Sequence, residues 1–68
     1  MEPITGKELK VGMEFQKENW HERFSVNTIL FVEAYSYMGI NIPDHYLING
    51  DTKESVFVFP DETVFLIQ

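Results

Sequence analysis

The sequence predicts an all-β fold, a small barrel of five strands in which all 68 residues form one domain. Apolar residues make up 44% of the chain and aromatic residues 15%, which is enough for a core and too much for a disordered chain. Short β-favouring segments alternate with Gly, Pro, Asn and Asp, the pattern typical of small all-β proteins. A chain this short lies near the size at which one core barely offsets the entropy of folding.

The first predicted strand covers residues 10–17. In this segment Val11, Met13 and Phe15 alternate with Gly or charged residues, as expected for a strand with one buried face. Residues 17–23 follow as a polar loop that carries Trp20.

The second half of the chain has clearer turn signals. Asn49-Gly50-Asp51 predicts a hairpin between strands at 45–49 and 54–59, because Asn and Gly tolerate the positive φ of tight turns. Pro60-Asp61-Glu62 predicts a second turn before a final strand at 63–67.

Residues 24–39 fit two structures. Their β-branched and aromatic residues favour a strand. The alternative is a helix at about 27–38 that ends at Gly39 and lies on an antiparallel sheet, which would make the fold α+β.

Apolar residues exceed what a barrel of this size can bury. Half of residues 56–59 and 64–67 must point outward in either register, and a strand at 24–35 would add more. The outer faces would then expose several hundred Å² of apolar surface, about the limit for soluble monomers. A helix, a second copy or another protein must cover it. The expected partner-binding residues are Trp20, Phe31, Glu33, Tyr35, Phe57 and Phe65.

The charge balance indicates the chemistry of a partner. Eleven acidic residues face five basic ones, giving a net charge of −6. This disfavours nucleic-acid binding by phosphate neutralisation, so a single-stranded nucleic-acid binder that stacks bases on its aromatic rings is the weaker alternative. Carboxylates around an apolar centre would instead steer the chain toward a basic protein. The alternative is that the negative charge only keeps a small protein soluble.

The sequence contains few residues of the kind that carry catalysis. There is no cysteine, and His21 and His45 lie in separate segments without metal-ligand spacing. No nucleophile elbow or phosphate-binding Gly motif is present. We therefore expect neither an enzyme nor a cofactor or metal site.

No segment has the length and apolarity of a membrane span, and the first residues do not resemble a secretory signal. We expect a cytoplasmic protein without membrane contact.

Several segments together resemble short SH3-like β-barrels of phage and prophage genomes. They are K-x-G-x-x-F at Lys10 to Phe15, F-x-V at Phe24 to Val26, the Gly-centred hairpin, and F-P-D-E-x-V-x-L-I at Phe59 to Ile67. The resemblance implies an SH3-like fold and a viral origin. The functional hypothesis is an acidic effector that binds, and inhibits or modulates, a host protein in the host cytoplasm. The alternative is a structural protein that self-associates, for example as a homodimer.

Overall fold

A computed structural model describes residues 1–52 and 54–67, which form nine strands and one short 3-10 helix at Gly6–Glu8. The fold is all-β, as the sequence predicts. The alternative helix at about 27–38 is wrong, because strands occupy that segment. In chain order the strands are β1 (Glu2–Thr5), β2 (Glu14–Gln16), β3 (Phe24–Ser25), β4 (Thr28–Val32), β5 (Tyr35–Tyr37), β6 (Ile40–Ile42), β7 (His45–Asn49), β8 (Ser55–Val58) and β9 (Thr63–Ile67).

The strands form three antiparallel sheets. One has four strands in the order β1-β9-β2-β3, one has three in the order β4-β7-β8, and β5 pairs with β6. None of these sheets closes into a barrel, so the narrower prediction of a five-stranded SH3-like barrel is not confirmed.

One core joins the four-stranded and three-stranded sheets. Its buried residues come from both sheets and from the segments beside them: Ile4, Leu9, Phe15, Phe24, Val26, Ile48, Val58 and Val64. Val58 and Val64 are fully buried, and side chains alternate along a strand. Their neighbours Phe57 and Phe65 therefore lie on the outer faces, which settles a register that the sequence left open.

The predicted strand bounds hold best in the second half of the chain. The strands expected at 45–49 and 63–67 are observed with those bounds, and the one expected at 54–59 covers Ser55–Val58. The strand expected at 10–17 is wrong at its start, since it begins at Glu14. Gly12 has φ +94° in the preceding turn, a conformation that favours glycine and does not continue a strand.

A two-stranded arm, residues 33–44, extends from the three-stranded sheet. Val32 pairs with His45 in that sheet, and Tyr35 pairs with Ile42 in the arm. The ladder between the two strands is therefore interrupted by two unpaired residues on each side, 33–34 and 43–44. One of them is Pro43, which has no N–H to donate to a ladder. The arm thus continues the β4–β7 hairpin beyond an interruption.

The tip of the arm is a two-residue turn at Met38-Gly39. Met38 has φ +52° and Gly39 φ +79°, the pair of left-handed conformations that a type I′ hairpin turn requires. We expected this geometry at Asn49-Gly50. The β7–β8 connection is instead a longer loop, closed by a 2.9 Å hydrogen bond from the Gly50 N–H to the Glu54 carbonyl.

The arm makes the molecule elongated. Its principal extents are 40 × 24 × 20 Å and its radius of gyration is 12.3 Å. A compact domain of this length would have a radius of about 11 Å. The accessible surface is 4998 Å², whereas a monomer of this mass typically exposes roughly 4,450 Å².

Candidate docking surface

Most of the large apolar side chains of the arm are exposed to solvent. Met38 is 83% exposed, Ile40 64% and Tyr37 62%, and Tyr35 is about half exposed. Tyr35, Tyr37 and Ile40 share one face of the arm, because Tyr37 pairs with Ile40 and Tyr35 lies two residues before Tyr37, and Met38 adds to them at the turn. A tip of this kind offers apolar and aromatic contact area to another molecule.

The charges around the arm have one sign. Residues 24–52 contain Glu33, Asp44 and Asp51 but no Lys or Arg. Glu33 and Asp44 are exposed and lie at the base of the arm, where Asp44 Oδ1 accepts a 2.7 Å hydrogen bond from the Ala34 N–H. An apolar tip on an acidic base complements a partner that combines apolar and basic groups.

A second apolar surface, the outer patch, lies on the solvent face of the three-stranded sheet. The register places Leu30 opposite Leu47 and Leu47 opposite Phe57, one residue from each strand. Leu30 is 58% exposed and Phe57 53%. His45 extends the patch by an edge contact with the Phe57 ring, at 5.8 Å between centroids.

Four of the six residues predicted to bind a partner lie on the three-stranded sheet or the arm. Phe31 and Phe57 belong to the sheet, and Glu33 and Tyr35 to the arm. Phe31 is half exposed and contacts Tyr46 at 5.5 Å on the face opposite the outer patch.

The other two residues lie elsewhere. Trp20 packs against Phe15 and Phe24, at centroid distances of 5.9 Å and 6.3 Å, and serves the core. Phe65 is half buried in β9, in register with Pro3 and Gln16 of the four-stranded sheet. Neither residue adjoins the arm.

Sequence reasoning missed the residues of the tip. Tyr37 and Ile40 flank the turn and Met38 forms it, yet none was among the expected binding residues. The available signal was Met38-Gly39 between two segments that alternate apolar and polar residues, which permits a two-residue hairpin.

The arrangement of polar residues offers little chemistry. Within residues 1–52 and 54–67 no group of three His, Asp or Glu side chains is placed to hold a metal ion. An open cleft of about 580 Å³ beside Trp20 brings His21, Glu54 and Ser55 together, but no hydrogen bond joins these three. No helix in the described part of the chain is long and apolar enough to cross a membrane.

The chain matches no protein-family model, no curated protein and no solved structure.

Proposed function

We propose that this chain is a non-enzymatic protein-binding module whose arm docks on a basic protein. The observation that carries the proposal is the projecting tip, where Tyr37, Met38 and Ile40 are each more than half exposed in a segment without any Lys or Arg. Aromatic residues and Met are enriched in protein interfaces, and complementary charge accelerates association.

The backbone of Met38 supports the same proposal. A residue with a Cβ in the left-handed region loses roughly 1–2 kcal/mol relative to a right-handed conformation, and Asn or Gly would lose less. Met38 nevertheless occupies this position with its side chain in solvent. A local cost at an exposed site is expected where the side chain serves binding more than folding.

The shape supports it as well. The surface exceeds that of a typical monomer of 8.0 kDa by about 550 Å². Each partner contributes about 800 Å² to a standard interface. The extra surface provides much of the area that one side of an interface needs, and the arm is the part of the chain that projects.

The proposal has a narrower form that rests on the resemblance to phage-type barrels. In this form the body is an SH3-like barrel, the protein is a cytoplasmic effector of viral origin, and the partner is a host protein that it inhibits. The two sheets around one core are compatible with that fold. A bacterial lysate is the appropriate first source of a partner.

The test compares three immobilised proteins: the wild type, the arm variant Tyr37→Ser/Ile40→Ser, and the control Val11→Ser. Val11 is 65% exposed in a turn outside the arm, so its variant removes exposed apolar surface that does not belong to the arm. We expect the immobilised wild type and V11S to retain a lysate protein that the arm variant does not retain. That protein should also bind the wild type after it has been purified. Retention should weaken as salt rises. Equal retention by all three proteins, or loss in V11S alone, would refute docking through the arm.

A further inference from the structure

The edges of the two larger sheets are not equally protected. An exposed strand edge carries unpaired backbone groups, and proteins block it with Pro, charged side chains or very short strands. Edge strand β1 contains Pro3, and edge strand β3 has only two residues. At edge strand β8, Lys17 Nζ donates a 2.7 Å hydrogen bond to the Phe57 carbonyl, and the Glu62 carboxylate accepts from the Phe59 N–H.

Edge strand β4 has none of these devices. Its sequence, Thr-Ile-Leu-Phe-Val, contains neither a charged residue nor a Pro. No side-chain hydrogen bond reaches its backbone in the described part of the chain. β4 is therefore the edge of the larger sheets that is open to another strand.

The hydrogen bonds around β7 show which groups of β4 are free. The Gly50 N–H points toward β8, where it donates to the Glu54 carbonyl, and the Asn49 carbonyl points toward β4, where it accepts from the Asn27 N–H. Backbone groups alternate in direction along a strand.

The same alternation fixes β4 itself. Leu30 lies opposite Leu47, whose backbone faces β4, so the backbone groups of Leu30 point into the sheet. The N–H and C=O groups of Ile29 and Phe31 then point outward. They form a short, uncharged template for one added strand.

We infer that a second copy of this chain pairs with β4 in antiparallel register, so that two three-stranded sheets join into one sheet of six strands. The two-fold axis passes beside Leu30. Ile29 of each protomer bonds to Phe31 of the partner subunit, which uses every outward backbone group of both residues.

The side chains favour this register. Leu30 meets Leu30 of the partner subunit as a non-hydrogen-bonded pair, in which the Cα atoms lie about 4.5 Å apart. Both leucines are 58% exposed in the monomer, so the contact covers apolar surface that now faces water. On the other face, Phe31 lies beside Ile29 of the partner subunit.

Repulsion between the acidic residues nearest to β4 does not prevent a second copy from pairing in this register. Glu33 lies opposite Asn27 of the partner subunit, and the two Glu33 residues are separated by six residues of strand, roughly 20 Å. That separation is about twice the Debye length at 0.1 M salt, so their repulsion is weak. The arms leave the joined sheet at opposite ends, and both tips stay available for the proposed partner.

Disulfide trapping tests the inference directly, because the chain has no cysteine of its own. Leu30→Cys should form a covalent dimer under mild oxidation, since cross-strand Cα atoms at this spacing suit a disulfide. Val11→Cys and Ile40→Cys are matched controls, because their side chains are equally exposed but lie away from β4. Equal cross-linking of all three variants would refute the β4 register.

Sedimentation equilibrium supplies an independent readout. The wild type should dimerise with a dissociation constant that falls as salt rises, because screening reduces repulsion between two chains of charge −6. Leu30→Lys should raise that constant by at least roughly tenfold, since it places two cations on the axis. Ile40→Lys should leave it unchanged. A wild type that stays monomeric at millimolar concentration would overturn the inference without affecting the proposed role of the arm. A dimer lost in I40K and kept in L30K would also overturn it, and would assign self-association to the arm tip.

Discussion

The ammonium group of Lys17 donates a 2.7 Å hydrogen bond to the carbonyl oxygen of Phe57 at the outer edge of β8. The same group lies 3.2 Å from the Glu62 carboxylate and 5.5 Å from the centre of the Phe57 ring. The Lys17 side chain is 19% exposed, so its charge is largely enclosed by these groups. One side chain thus occupies an edge carbonyl and also connects the segment after β2 to the three-stranded sheet.

Removal of this ammonium group should weaken the fold. Lys17→Met keeps much of the side-chain length and removes the charge, and we expect the free energy of unfolding to fall by about 1–2 kcal/mol, typical of a charge-assisted hydrogen bond in a partly exposed place. Urea titration followed by circular dichroism measures the change. Lys10→Met is the control, because Lys10 is exposed and lies in a turn. Equal losses in the two variants would show that the Phe57 contact contributes nothing specific.

The sequence predicted the strands well where turn residues bounded them. Pro60-Asp61-Glu62 separates β8 from β9, and the expected bounds of β9 are those observed. The Asn49-Gly50 hairpin exists, but Gly50 serves a different purpose there. A Cβ at Gly50 would lie 3.1 Å from Phe24 Cζ, so glycine here relieves a tight approach to the core, and its φ is not positive. Local sequence could not distinguish these two reasons for a glycine.

The arm could not be predicted because neither of its two sequence signals is specific for a hairpin. Pro43 interrupts the ladder opposite Ala34, and Met38-Gly39 forms the tip. Each signal also fits a helix that ends at Gly39, so the pattern alone left both structures open. The outward positions of Phe57 and Phe65 were equally undecided, because Val and Phe alternate and either set could face the core.

Alanine substitutions at Gly6 and Gly12 should destabilise the fold for different reasons, a steric clash at Gly6 and a positive φ at Gly12. A Cβ at Gly6 would overlap the Phe59 carbonyl oxygen and lie 2.6 Å from Val58 Cγ1. Gly6→Ala must therefore move backbone that belongs to the core, and we expect a loss of at least about 3 kcal/mol, enough to unfold much of a domain this small. Thermal unfolding followed by near-ultraviolet circular dichroism measures it.

Gly12→Ala is the matched comparison. A Cβ at Gly12 would meet nothing within 4 Å, and only its φ of +94° opposes a side chain. We expect a loss of about 1–2 kcal/mol with the fold retained. A Gly12 variant as damaging as the Gly6 variant would contradict the assigned close approach of Gly6 to β8.

Glu8 gives the fold a dependence on pH. Its carboxylate accepts hydrogen bonds from the Thr5 N–H at 3.0 Å and the Thr5 hydroxyl at 2.8 Å. The backbone hydrogen bond, then the hydroxyl and the nearby Lys7 charge, hold the pKa of Glu8 below its ordinary value of 4.5. A depressed folded pKa means that the stabilisation is fully present above 4.5 and is lost as the pH falls through the folded value.

The variant Glu8→Gln tests that dependence. The wild type should exceed E8Q in urea midpoint at neutral pH, and the difference should shrink as the pH falls below 4.5. Glu18→Gln is the control, because Glu18 is exposed and has no hydrogen-bond partner in the described part of the chain. A difference between wild type and E8Q that grows in acid would have the wrong sign for this assignment.

Substitutions at the tip of the arm should change the stability of the arm and its affinity for a partner in opposite directions. Met38→Asn places a residue that tolerates φ +52° at the first turn position, and we expect the arm to gain up to about 1 kcal/mol. Gly39→Ala should remove about 1 kcal/mol through φ +79° alone, since a Cβ there would contact nothing within 4 Å. Hydrogen exchange at the amides of Tyr37 and Ile40 measures both changes. If the Met38 side chain contacts the partner, M38N binds more weakly than the wild type although its arm is better ordered. Stronger binding by M38N would mean that the partner recognises the shape of the arm and not its methionine.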